Sequence, residues 1–514
     1  MTGNLMSRRE LLKGLGAVGV GAAFANFCPA HLHAQSSPSS SKDLALDYDQ
    51  YDALGLSELI ARKQITPMEL LDAVRQRVEA LNPKLNALCY LFFDRAEAEI
   101  KQGLPDGAFK GVPFVLKDLG VTLAGTITSG GSRLFKNSVA NIDSTVVHRY
   151  RQAGLVFFGK TATPEFGLAF TTESALYGLT RNPWNLDLTS GGSSGGSGVV
   201  VASRILPMAH GSDGGGSIRI PASCCGVFGL KPTRGRVPLG PSRFEGWNGL
   251  AVQHALTLSV RDSAALLDAT IGPELGSPFF SPIPPRPFLK EVGADPGKLR
   301  IALALKPTNG VPLAPECKQA AMEAAKLCES LGHQIEEAQP PIEDASMREA
   351  NGIVISVSLA KVLEDATKLL GRPSEGDVEE VTRQTYLYGR SISSTNYSRA
   401  IDSLHQVGLT MAKFMQKYDV ILNPTLAKPP VKLGVLDLAQ NTMTYLKNIA
   451  EFSPFTALFN ITGQPSMSVP LHWSPEGLPI GVMFSARFGD EATLFRLAAQ
   501  LEKAKPWAKR RPSI

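Results

Sequence analysis

Apolar side chains at Leu70, Leu71, Val74, Val78 and Leu81 recur at three- and four-residue intervals, the spacing of one buried helix face. Just upstream, Thr66-Pro67-Met68-Glu69 supplies an N-cap hydroxyl, a first-turn proline and a glutamate at N3, so a helix is predicted to start there. Asn82-Pro83 is expected to end it. Short unbroken apolar runs follow at Pro113–Leu116, Leu155–Phe158 and Val199–Val201, each flanked by Gly or Pro. Each predicts a buried strand or the packed start of a helix. Leu299–Leu305 reads as a further strand, Pro315–Leu331 as a helix, and Ala345 to Leu370 as a long, partly amphipathic helical region. Strands alternating with helices make the fold class α/β. Between Gly272 and Pro287 six of sixteen residues are proline, which favours an extended connector between a Gly-rich first half and a second α/β stretch.

Composition leaves that picture intact. The 514 residues are 43% hydrophobic and 19% charged, an ordinary globular balance. The net charge of +5 comes without a dense Lys/Arg tract interleaved with aromatics, so no nucleic-acid partner is expected. The N-terminus adds a destination. Arg8-Arg9 precedes a Gly/Ala-rich apolar run, Gly14–Ala25, too short to cross a bilayer as a mature helix, so no stable membrane insertion is expected. Together they predict a twin-arginine signal peptide over residues 1–34, cleaved near Ala34. A Ser-rich linker over residues 35–48 and a main domain over 49–510 would follow, with delivery to the periplasm or the medium. Cys317 and Cys328 fall on one predicted helix, roughly 16 Å apart at about 1.5 Å per residue, too far for a disulfide. Cys224-Cys225 reads as a pair of small packing residues. No Cys/His cluster has metal spacing, so free, mostly buried thiols and no metal are expected.

Gly154–Thr161 fits the G-x-x-x-x-G-K-[ST] phosphate-loop pattern, but its interior, Leu155–Phe158, is a buried-strand sequence, and Pro164 interrupts any helix that would face a phosphate. Ser190-Gly-Gly-Ser193-Ser194-Gly-Gly-Ser197-Gly198 has the composition of a flexible linker, yet it runs directly into Val199-Val200-Val201-Ala202, a core sequence. Such a run suits a loop that presents hydroxyls where backbones approach closely. In His210-Gly-Ser-Asp213-Gly214-Gly215-Gly216-Ser217-Ile-Arg219, three glycines before a serine can aim successive amides at one point, as an oxyanion hole requires. Asp213 and Arg219 flank that loop and are expected to pin it by an ion pair. Finally, Lys117 ends the hydrophobic run Gly111–Leu116. Burial there would lower its pKa toward neutrality and make it a base.

These segments, with Gly229-Leu-Lys-Pro-Thr-Arg-Gly-Arg236, Thr180-Arg-Asn-Pro-Trp-Asn185, Phe459-Asn-Ile-Thr-Gly-Gln-Pro465 and Gly477-Leu-Pro-Ile-Gly481, resemble the amidase signature family of Ser–cisSer–Lys hydrolases from about residue 50 to 505. The resemblance implies a single α/β/α domain around a mixed twisted sheet, which would make the Pro-rich connector internal. It implies Ser217 as nucleophile, Ser193 after a cis peptide as the bridging serine, and Lys117 as base. The amides of Gly214, Gly215, Gly216 and Ser217 would form the oxyanion hole, with Ser194, Asp213 and Arg219 in support. Many members carry Thr where this chain has Gly214; that glycine and Thr171-Thr-Glu173 are most similar to the cyclic nylon-oligomer hydrolases. The implied substrate is a small amide or oligoamide, the implied cofactor none, and the oligomer a homodimer. An esterase or carbamate hydrolase on the same triad, an amidotransferase A-type subunit and a non-catalytic scaffold are the alternatives. Gly191-x-Ser193-x-Gly195 also fits an α/β-hydrolase elbow, but His254, His333, His405 and His472 all lack a suitable context.

Overall fold

The computed structural model describes residues 47–514, so the signal peptide, its cleavage site, Cys28 and most of the Ser-rich linker lie outside the described residues. The first predicted helix spans Pro67–Leu85, and its capping box is closed from both sides by Thr66 and Glu69. It runs through Pro83 rather than stopping there. The Asn82 side chain takes over the ending, accepting the Ala87 and Leu88 amides (both 2.9 Å) while Asn86 turns left-handed.

Two sheets follow from the apolar runs. In the smaller, Val156–Thr161 lies between Leu88–Leu91, antiparallel, and Pro113–Lys117, parallel. The larger is an eight-stranded mixed sheet in the order Gln334–Glu337, Arg300–Leu303, Val420–Pro424, Pro479–Ala486, Ser466–Trp473, Phe228–Lys231, Val252–Thr257, Met208–Asp213. The first three pair in parallel and the rest antiparallel.

Side chains alternate across this sheet with period two. Val420, Leu422, Val482 and Phe484 pack in one core with helices Pro315–Ser330 and Glu491–Ala504. Ile421 and Met483, one residue out of phase, pack in a second core with helices Asp344–Leu370 and Ser394–Phe414. The result is a single α/β/α domain, and the proline-rich stretch is internal to it. Val199–Val201 resolves as helix: Gly195–Ala202 is buried along its whole length. No described helix is long and apolar enough to cross a membrane.

Candidate active site

Strand geometry brings the lysine to its partners. Lys117 is the last residue of Pro113–Lys117, and the edge strand Met208–Asp213 packs alongside. The Lys117 amide donates to His210 Nδ1 (3.1 Å), and Lys117 Nζ donates to Ser193 Oγ (2.7 Å) and Ser212 Oγ (3.0 Å). The lysine is wholly buried, and that desolvation lowers its pKa from 10.5 to about 7 although Asp213 pulls the other way. Behind it His210 is held neutral, its pKa lowered to about 3 by burial. Because Nδ1 accepts from Lys117, Nε2 carries the proton that Gln253 Oε1 receives (3.0 Å).

Ser193 follows a cis peptide bond from Gly192. Thr172 clasps that segment on both sides, its hydroxyl donating to Gly191 O (2.9 Å) and accepting the Gly195 amide (3.0 Å). A side chain at Gly192 would fall on the Thr171 carbonyl, and one at Gly196 on those of Ala87 and Ala162. Ser194 ties this run to the second loop: its amide donates to Ser217 O (3.2 Å) and its hydroxyl to Ser212 O (3.1 Å).

Ser217 sits at the mouth of the second loop, 5% exposed, and its hydroxyl has no hydrogen-bond partner among the described residues. The expected pin is present. Asp213 and Arg219 are fully buried and joined at Oδ1–Nη2 (2.9 Å) and Oδ2–Nε (3.0 Å). Burial alone would raise the Asp213 pKa, but Arg219, Lys231 and Asn460 outweigh it and hold the carboxyl below the usual range. The same carboxylate accepts the amides of Gly216 (2.8 Å) and Ile218 (3.1 Å). This changes one expectation: the Gly216 amide is directed at Asp213, whereas those of Gly214, Gly215 and Ser217 have no acceptor among the described residues.

Gly214 also finds its reason. A Cβ there would lie 2.6 Å from Trp247 Cζ3, so the indole fills the space a threonine would need.

Several supporting groups escaped the sequence reading. Ser212 shares the lysine, and its only signal was the i, i+2 spacing from His210 on one strand face. Thr456 donates to Gly215 O (2.5 Å), and Asn460 bonds both Asp213 (2.9 Å) and Arg219 (2.6 Å). Ser129 and Tyr177 both donate to the buried Asp118 carboxylate (2.6 and 2.7 Å), next to Lys117 in the chain. Lys160 is a buried strand residue near the same carboxylate (3.8 Å), which rules out the phosphate loop. His254 bonds Ser263, His333 bonds Gln500, and His472 bonds Glu323, all away from Ser193. The five described cysteines are free.

Comparison with known proteins agrees with this geometry. Residues 69–495 match the amidase family. The 6-aminohexanoate-cyclic-dimer hydrolase of Paenarthrobacter ureafaciens is 39% identical over 477 residues, covering 90% of this chain and 96% of the relative. The solved structure of 6-aminohexanoate cyclic dimer hydrolase superposes with a TM-score of 0.86 at 38% identity, covering 90% of this chain and 99% of that one. A bacterial aryl acylamidase of the amidase signature family gives 0.80 at 27% identity, with 90% and 97% covered. The chain belongs to the amidase signature family, hydrolases of amide bonds.

Proposed function

We propose that Ser217 is the nucleophile, Ser193 the proton bridge and Lys117 the base of an acyl-enzyme amidase acting on cyclic or linear oligoamides. Neutral Lys117 takes the Ser193 proton as Ser193 takes that of Ser217. Ser217 Oγ attacks the carbonyl, and the oxyanion is met by the unengaged amides of Gly214, Gly215 and Ser217. The stored proton then passes back through Ser193 to the leaving amine, and water reverses the sequence to release the acid.

One observation supports this reading above the others: a fully buried lysine with its pKa near 7 lies 2.7 Å from the Ser193 hydroxyl. The oligoamide class rests on likeness to the cyclic-dimer hydrolase. Intact-mass trapping of acyl-enzyme on a panel of aryl amides and oligoamides tests both. The adduct is expected on wild type, absent in Ser217→Ala, and formed far more slowly in Ser193→Ala and Lys117→Ala. An adduct that survives Ser217→Ala overturns the assignment.

We also propose export through the Arg8-Arg9 leader and assembly as a homodimer. Cell fractionation of wild type against an Arg8→Lys/Arg9→Lys variant tests the first, and sedimentation of the purified chain tests the second.

A further inference from the structure

The loop from Gly240 to Gly249 borders the catalytic cleft, and the hydrolytic relay uses none of its side chains. It is tied down at both ends. The Gly240 amide donates to Glu274 Oε2 (2.8 Å), the Gly249 amide to Glu245 Oε2 (2.9 Å), and Arg234 Nε to the Gly249 carbonyl (2.6 Å). Between these ties Trp247 and Asn248 are both left-handed (φ 54° and 53°), a conformation that non-glycine residues keep only where their surroundings fix it. Trp247, so turned, lays its indole against Gly214.

The same loop carries Arg243 to the lysine side of the cleft. A Cβ on Gly120, just after Lys117 in the chain, would lie 3.7 Å from Arg243 Nη2 and 3.9 Å from Ser212 Oγ. That hydroxyl is the one that accepts from Lys117 Nζ (3.0 Å). The guanidinium and the Ser212 hydroxyl therefore border one space, the one a side chain at position 120 would fill. Gly120, Ser212, Gly214 and Gly215 all keep partial solvent access, so the space is open to a ligand.

Arg243 makes no hydrogen bond or ion pair among the described residues. Other arginines nearby in the chain are spent: Arg234 donates to three carbonyls, and Arg236 pairs with Glu491. Arg243 is exposed to solvent, yet enough protein surrounds its guanidinium to lower its pKa. Glu245 pulls the other way, but that carboxylate is turned to the Gly249 amide. An arginine stays charged at neutral pH, and one that stands in a cleft with its donors unspent is built to receive an anion.

We infer that Arg243 reads a free carboxylate on the substrate, so that the site favours linear amides carrying a carboxylate at one end over neutral or cyclic ones. This rests on the serine relay proposed above, with the scissile carbonyl at Ser217. The planar guanidinium donates to both carboxylate oxygens, and the chain between carboxylate and scissile amide passes the Trp247 indole.

Matched substrate pairs test it. One pair places the carboxylate on the acyl part, adipic acid mono-p-nitroanilide against hexanoic p-nitroanilide. The other places it on the amine part, N-hexanoyl-6-aminohexanoate against its methylamide. In one of the two pairs the carboxylate member is expected to have the higher kcat/KM by about ten-fold or more, mainly through KM. Arg243→Gln should bring that ratio to about one, Arg243→Lys should keep part of it, and Arg243→Glu should turn it in favour of the neutral member. A wild-type ratio near one in both pairs overturns the proposal, as does a ratio that Arg243→Gln leaves intact. Calorimetric binding of the same pairs to Ser217→Ala separates this inference from the relay. A carboxylate preference there, without turnover in wild type, overturns the relay and keeps the subsite. Turnover of both members without a preference does the reverse, and the absence of both turnover and preference overturns both.

Discussion

Replacing Lys117 with methionine should abolish turnover and, at neutral pH, make the protein more stable. Folding carries this lysine from an ordinary 10.5 to about 7 in a fully buried site. The folded value lies below the unfolded one, so between about pH 7 and 10.5 the unfolded chain holds a proton that the folded chain has lost. Stability therefore rises with pH across that window. The penalty is complete below about pH 7 and gone above pH 10.5. At about 1.36 kcal/mol per decade it amounts to roughly 5 kcal/mol at pH 7. Methionine removes it but forfeits the bonds to Ser193 and Ser212, at about 1 kcal/mol each. The net expectation is a gain of roughly 3 kcal/mol at pH 7, falling to about zero by pH 9. Equilibrium denaturation of both proteins at pH 7, 8 and 9 measures it. A Lys117→Met protein less stable than wild type at pH 7, or a difference that does not move with pH, would refute the account of a lysine neutralised by burial.

On the proposed relay the same lysine sets the pH dependence of the reaction, since only its neutral form accepts a proton. The value of kcat/KM should fall about ten-fold per unit below roughly pH 7 and level off above it, and a profile flat from about pH 6 to 9 would contradict this. Asp213→Asn keeps the shape of the loop anchor but leaves Arg219 buried without a counter-charge. Denaturant midpoints should report a loss of about 3–5 kcal/mol, with kcat falling more than KM rises. Gly214→Thr should strike the Trp247 indole and cost most of the activity, and Gly214→Thr/Trp247→Ala should recover part of it. If the double variant is no better than the single one, the indole is not what requires glycine there.

The residues proposed for catalysis stood out in the sequence because each broke a local rule. Lys117 ended a hydrophobic strand, Ser193 stood in a glycine run that entered the core, and Ser217 followed three glycines. The Asp213–Arg219 pair was legible for a related reason, since its partners are six residues apart and flank one loop. What stayed hidden depends on distant segments meeting. Asn460 reaches Asp213 across 247 positions and Thr456 reaches Gly215 across 241, and no periodicity in either segment announces the contact. The Gly216 amide was misplaced because a loop pattern says which donors exist, not which acceptor arrives first. Pro83 inside its helix is the same kind of case: the Asn82 side chain that reorganises the ending acts only once Ala87 and Leu88 have folded back onto it.

The run from Ser190 to Gly198 has the letters of a tether and the packing of a keystone. Surface loops of Ser and Gly are where chains ordinarily accept tags, insertions and new termini. Here the spaces opposite Gly192 and Gly196 are already filled by carbonyl oxygens of other segments. An added residue has nowhere to go without separating the hydroxyl at 193 from the amine at 117. A search that sets aside low-complexity stretches would discard the segment that holds the hydroxyl at 193 against the buried amine at 117, and an engineer looking for a place to open this chain should avoid the part of it that most resembles a linker.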